Sequence, residues 1–148
     1  YSLVLEAHQA CLAVAAPGIS VRALQQTALH VITTGLVALG LLQGDVNQLI
    51  ESQAYQRFYM HNIGHWLGMD VHDVGPYVDG TDSIIVEAGM ILTIEPGIYV
   101  KPNSDVDKKW HGIGIRIEDN ILMGEKSPTV LSNMIPKEAK TIEEICQR

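Results

Sequence analysis

Cysteine is almost missing from this sequence: Cys11 and Cys146 are the two thiols in 148 residues. So sparse a set excludes a disulfide scaffold and leaves one bridge between the two as the alternative to free thiols. Because each lies inside an apolar helical pattern, buried reduced thiols and a cytoplasmic setting are expected. Positive charge is also short, since 10 Lys and Arg against 17 Asp and Glu leave a net charge of −7. The basic residues are scattered, so nothing would neutralise a row of phosphates or hold an anionic membrane surface. Neither nucleic acid nor a membrane is expected as a partner. Long hydrophobic runs are lacking too. The longest apolar helical pattern, Val21 to Leu42, is broken by Arg22, Gln25, Gln26, His30, Gly35 and Gly40, whereas a bilayer span needs roughly 20 apolar residues. There are no internal repeats, no low-complexity tracts and no initiator Met, and no stretch of these residues is expected to serve as a signal peptide. The opening Tyr1-Ser2-Leu3-Val4-Leu5 reads as the inside of a helix, which gives the expectation of a cut chain.

What is present is globular composition, with 47% apolar and 18% charged residues in a length that fits one domain. Apolar residues from Leu3 to Ala15 keep a helical period that Pro17-Gly18 stops. Ser20 is placed to cap a second helix with the stripe Val21, Leu24, Ala28, Val31, Ile32, Leu36 and Leu39, closing at Gly40. Asp45 caps a short third helix over Val46, Leu49 and Ile50. Later the pattern changes to strands, at Met90 to Ile94, Ile98 to Val100, and Gly112 to Glu118, the last continued by Ile121 to Met123. Its period of two puts Arg116 and Glu118 on one face. Thr141-Ile142-Glu143-Glu144 has the form of a capping box opening a terminal helix. Helices first and strands later is an α+β order.

Between Phe58 and Tyr77 the chain is rich in Gly, His and Asp, the mixture of a backbone bending around a site. His61, His65 and His72 fall within twelve residues, beside Asp70 and Asp73. A lone His is most often a polar loop residue; three together ask for a cause. The spacing of His61 and His65 is that of a zincin helix, but Asn62 stands where the Glu belongs and Gly64 and Gly68 bracket the segment. Different elements must therefore present these side chains. Glu95 and Glu118 each sit at or near the end of an apolar strand, where an unpaired carboxylate is costly. Bland readings exist for both: a turn residue before Pro96-Gly97, and a salt bridge to Arg116 or Lys109. Imidazole plus carboxylates without thiolate is a donor set for Mn, Co, Fe or Zn rather than for a structural zinc knuckle.

The segments MHNIGHWLGMDVHDVGPY, LTIEPGIYV and GIGIRIEDNILM, in this order and preceded by PGISVRALQ, resemble the C-terminal part of the Xaa-Pro aminopeptidases, members of the pita-bread metallopeptidase family. Prolidase shares the His and Glu segments, and methionine aminopeptidase only the outline. The resemblance covers essentially the whole chain. It implies the C-terminal part of a pita-bread fold, with helices on a curved, mostly antiparallel sheet, and residues 1–148 as a partial catalytic domain. It also implies two divalent ions, usually Mn, held by two Asp, one His and two Glu, with a bridging water or hydroxide as nucleophile. Carried over by position, His65, Glu95 and Glu118 are the metal ligands present, with Glu118 bridging. Glu95 doubles as general base and acid, His72 contacts the scissile carbonyl or its oxyanion, and His61 lines the pocket on the proline side. Arg116 orients the carboxylates. The family's two Asp ligands, eleven residues apart, have no counterpart here, since no two Asp have that separation.

The activity implied is release of the N-terminal residue from peptides with proline in second position, by a homo-oligomer, with the fragment alone inactive. Cleavage of Xaa-Pro dipeptides, as by prolidase, and a non-catalytic peptide-binding module on the same fold are the alternatives.

Overall fold

The computed structural model describes residues 1–147. Two of the helices begin at side chains that satisfy their open backbone amides. Helix α1 (Ser2–Val14) ends ahead of Pro17, and Gly18 turns the chain at φ +94°. Ser20 caps α2 (Val21–Ala38) by accepting from the Ala23 amide at 3.1 Å, a contact of about 1 kcal/mol. At the other end Gly40, at φ +73°, donates to the Val37 carbonyl while Leu41 donates to Leu36. That paired closure is the Schellman arrangement, which a residue without a Cβ adopts most cheaply. Asp45 accepts from the Asn47 and Gln48 amides and opens α3 (Val46–Glu51).

α1 and α2 pack together through Val4, Ala7, Cys11, Leu24, Ala28, Ile32 and Leu36, all 1% exposed or less. Their approach depends on Gly35, where a Cβ would lie 2.2 Å from the Leu3 side chain. The helix pair rests on the strands, and the shared core includes Leu92, Ile94, Ile121 and Met123.

After a short hairpin, β1 (Val78–Asp79) and β2 (Asp82–Ser83), comes the part of the sheet that carries the site. β3 (Ile91–Ile94) and β4 (Gly97–Tyr99) run antiparallel to β5 (Gly114–Arg116) and β6 (Asp119–Met123), with β7 (Pro128–Val130) outside β6. Ile94 pairs with Asp119 and Gly97 with Arg116, so one register runs through both strand pairs. The ladder is interrupted only at Glu95-Pro96 and Ile117-Glu118. On the other edge of β3, residues 63–67 lie antiparallel to it, joined by Thr93 N–H to His65 O, Glu95 N–H to Ile63 O and Leu67 N–H to Ile91 O. The histidine segment is thus a sheet edge.

Three expectations from sequence need correction. The strand foreseen over Gly112 to Glu118 and continued by Ile121 to Met123 is two strands, β5 and β6, because the ladder opens at Ile117-Glu118 opposite Pro96, which has no amide to donate. The terminal helix α4 (Ala139–Cys146) begins two residues before Thr141, at a Glu138 cap without a side-chain bond, so Thr141 is inside the helix and the capping box does not form. Cys146 is exposed, not buried, because α4 buries no residue. Cys11 is buried as expected, and burial pushes its thiol up to about 12. Among the described residues no helix is long and apolar enough to cross a membrane.

Candidate metal centre

Because the register continues across the interruption, Glu95 comes directly opposite Glu118. Two carboxylates facing one another at the end of an apolar strand repel unless a cation lies between or beside them. Arg116 supplies part of that charge: Nη1 lies 3.6 Å from Glu95 Oε2 and Nη2 lies 3.5 Å from Glu118 Oε2. Its guanidinium is half exposed and approaches from solvent, leaving the inner carboxylate oxygens for other partners. The Lys109 bridge considered from sequence is made to Asp107 instead.

His65 closes the third side. Its Nδ1 lies 2.9 Å from the Trp66 carbonyl, which fixes that nitrogen as the donor and leaves Nε2 with its lone pair outward, 3.2 Å from Glu95 Oε1. A lone pair facing a carboxylate oxygen is the arrangement of two ligands around one cation. One atom from each of His65, Glu95 and Glu118 lies within 4.8 Å of the other two. Nitrogen and oxygen donors at this separation fit a divalent ion of the Mn, Co, Fe or Zn kind.

Thr93 is a site residue that the sequence reading passed over. It is 1% exposed, accepts the His65 amide on Oγ1 at 3.0 Å and donates that hydroxyl to Glu95 Oε1 at 2.9 Å. One hydroxyl therefore fixes the backbone of one candidate ligand and the side chain of the next. The available signal was a single hydroxyl in the otherwise aliphatic run Ile91-Leu92-Thr93-Ile94.

The remaining histidines stand around this centre. The His72 ring is exposed and meets the His65 ring edge-on, centroids 4.3 Å apart. Its loop is folded back by Asp73, which accepts the Met69 amide at 3.1 Å and sits so close to Gly68 that a Cβ there would clash with the carboxylate. His61 donates through Nδ1 to the Asn62 carbonyl at 2.8 Å, and its Nε2 lies 2.9 Å from the Tyr99 hydroxyl. Because a carbonyl only accepts, Nδ1 carries the ring proton, and Nε2 of the neutral ring accepts from the Tyr99 hydroxyl. An open cleft of about 400 Å³ is lined by His61, His65, His72, Tyr77, Glu95 and Arg116. Tyr77, stacked on Trp66 at 5.6 Å, forms one wall and was not singled out from sequence.

Comparison with known proteins gives the same direction. Residues 1–125 match the model of metallopeptidase family M24. The chain is 48% identical over 145 residues to the Xaa-Pro aminopeptidase of Haemophilus influenzae, covering 98% of this chain and 34% of that protein. Against the Xaa-Pro aminopeptidase of Escherichia coli it is 44% identical, covering 97% of this chain and 32% of the other. Among solved structures, Pseudomonas aeruginosa aminopeptidase PepP superposes with a TM-score of 0.95 at 50% identity, over 98% of this chain and 33% of that one. Zinc-substituted E. coli aminopeptidase P in complex with product superposes with a TM-score of 0.94 at 42% identity, over the whole of this chain and 34% of the other. The chain thus spans about a third of the length of these relatives, and its α+β fold is the corresponding part of their pita-bread fold. A family match over most of the length, together with this identity, leaves one conclusion: the chain belongs to metallopeptidase family M24.

Proposed function

We propose that this chain forms part of a two-metal aminopeptidase that releases the N-terminal residue from peptides with proline in second position. The observation that carries the proposal is the convergence of one imidazole and two opposed carboxylates, within 4.8 Å, in a cleft flanked by two further histidines. Membership of a metallopeptidase family supports divalent ions at that point, and the names of the relatives support the Xaa-Pro substrate. His65, Glu95 and Glu118 would hold the ions, with two further carboxylate ligands supplied from outside these 148 residues. The metal proposed is manganese, and the setting cytoplasmic.

When bound, such ions polarise the scissile carbonyl and make water a nucleophile near neutral pH. The chain's own residues do the rest. Glu95 takes the proton of the attacking water and passes it to the leaving nitrogen of the proline, a role for a carboxylate held at one oxygen by Thr93 and at the other by Arg116. His72, exposed on the rim beside His65, donates to the oxygen of the scissile carbonyl as charge develops there. His61, ordered by Tyr99, lines the side of the cleft that receives the proline ring.

The test uses the full-length protein, assayed for bound metal and for cleavage of an Xaa-Pro-Xaa tripeptide against an Xaa-Pro dipeptide. Two divalent ions per chain and metal-dependent cleavage of the tripeptide are expected, with Glu95→Gln slower by roughly 10² to 10⁴-fold. Cleavage confined to dipeptides would make the protein a prolidase. Metal-independent turnover, or peptide binding without turnover, would overturn the reading.

A further inference from the structure

The peptide unit between Asn62 and Ile63 lies midway between His61 and His65, and both of its polar groups are occupied. Its carbonyl meets His61 Nδ1 at 2.8 Å, and its N–H donates to Oε1 of Gln25, a residue of α2 remote in sequence. Ile63 itself is 2% exposed, so its amide has little access to water as an alternative partner. The following carbonyl, that of Ile63, accepts from the Glu95 amide at 2.7 Å. Residue 63 is therefore held from both sides, and the plane of the 62–63 peptide is set by where Gln25 puts its oxygen.

That plane matters because the Asn62 carbonyl selects the protonated nitrogen of His61. With Nδ1–H directed at this carbonyl, Nε2 is left as the acceptor of the Tyr99 hydroxyl, 2.9 Å away, on the wall of the cleft. If the peptide rotates, His61 loses the acceptor at Nδ1 and either nitrogen can carry the proton. A side chain of α2 that does not line the cleft is thus linked through one peptide unit to one of the cleft histidines.

We infer that Gln25 is a positioning residue: through the Asn62–Ile63 peptide it fixes the tautomer and ring orientation of His61 in the substrate cleft. The kinetic part of this inference rests on the function proposed above; the tautomer part does not.

The experiment uses the full-length protein with ¹⁵N-labelled histidine, comparing Gln25→Leu, which removes the acceptor, with Gln25→Glu, which keeps one. The native protein should show His61 protonated at Nδ1, and Gln25→Leu should show a mixture of tautomers. For an Xaa-Pro peptide, KM should rise roughly tenfold in Gln25→Leu, the loss of about one neutral hydrogen bond, with kcat nearly unchanged. Gln25→Glu should restore both readouts. If Gln25→Leu does not fold, Gln25→Asn, whose oxygen is drawn back by one methylene, is read in the same way. A folded Leu or Asn variant with the native His61 tautomer would overturn the inference. A native protein without peptidase activity would instead overturn the proposed function, and the tautomer measurement would still decide the role of Gln25.

Discussion

Gly64 lies against Thr93 so closely that a Cβ at residue 64 would stand 1.9 Å from the Thr93 carbonyl oxygen. Its φ is not in the left-handed region, so the requirement is for space, and the atom in the way is backbone that cannot turn aside. Gly64→Ala should force the 63–67 segment off β3, carrying His65 with it. Overpacking of this kind costs about 1–3 kcal/mol. A lower melting temperature together with weaker metal binding is expected in the full-length protein; a normal metal titration would show that His65 keeps its place by other means.

Arg116 pairs with both Glu95 and Glu118 without being a ligand itself. Its replacement by Ala should weaken metal affinity or activity by about 10 to 100-fold, the usual effect of removing a group that orients ligands. Arg116→Lys should recover only part, because one ammonium cannot reach two carboxylates in a fixed fork. Titration of metal into each variant checks this, and unchanged affinity in Arg116→Ala would reduce Arg116 to a solvated strand charge.

Chelation should lower the melting temperature, since it leaves Glu95 and Glu118 opposed with only Arg116 between them. An ion present at a hundred times its dissociation constant stabilises by about 2.7 kcal/mol. Glu118→Gln removes one of the opposed charges, so its melting point should respond much less to chelator. Scans with and without chelator on both proteins decide it; equal responses would place the stabilising ion elsewhere.

His8 gives a pH dependence. It is buried on α1 with Nε2 3.2 Å from Asp119 Oδ2, yet neither ring nitrogen makes an aligned hydrogen bond. The distance alone would suggest an ion pair that raises its pKa. Burial outweighs Asp119, whose other oxygen is already paired with Lys137 at 2.8 Å, and His8 is held below its ordinary value. A base with a depressed folded pKa is bound by fewer protons in the native state. Its contribution is fully present above the unfolded value near 6.5 and is lost as pH falls below it. Thermal unfolding from pH 7.5 to 5.5 should therefore show a smaller loss of stability in His8→Leu than in the native protein. An identical acid response would mean that other groups carry it.

Much of this was legible in the residues themselves. Ser20, Asp45 and Gly40 act within a few positions of their own place in the chain, so caps and closures could be read directly. The same holds for the i, i+2 placement of Arg116 and Glu118, a property of any extended strand. Thr141 failed as a cap because the boundary of a helix with no buried residue is weakly specified by local sequence. Chemical type and motif pointed to His65, Glu95 and Glu118 as a set, but nothing in the order of residues brings positions 65, 95 and 118 within 4.8 Å.

That convergence was decided by tertiary structure, through the register that puts Glu95 opposite Glu118 and through the pairing of residues 63–67 with β3. So were the parts played by Thr93 and Gln25, whose hydrogen bonds join segments 28 and 38 residues apart. The sequence by itself determined which donors the chain could offer and which elements would carry them, because helix caps, strand periods and donor chemistry are local. Long-range pairing decided which donors meet, because a strand register is set by the packing of both partners and is written in neither alone.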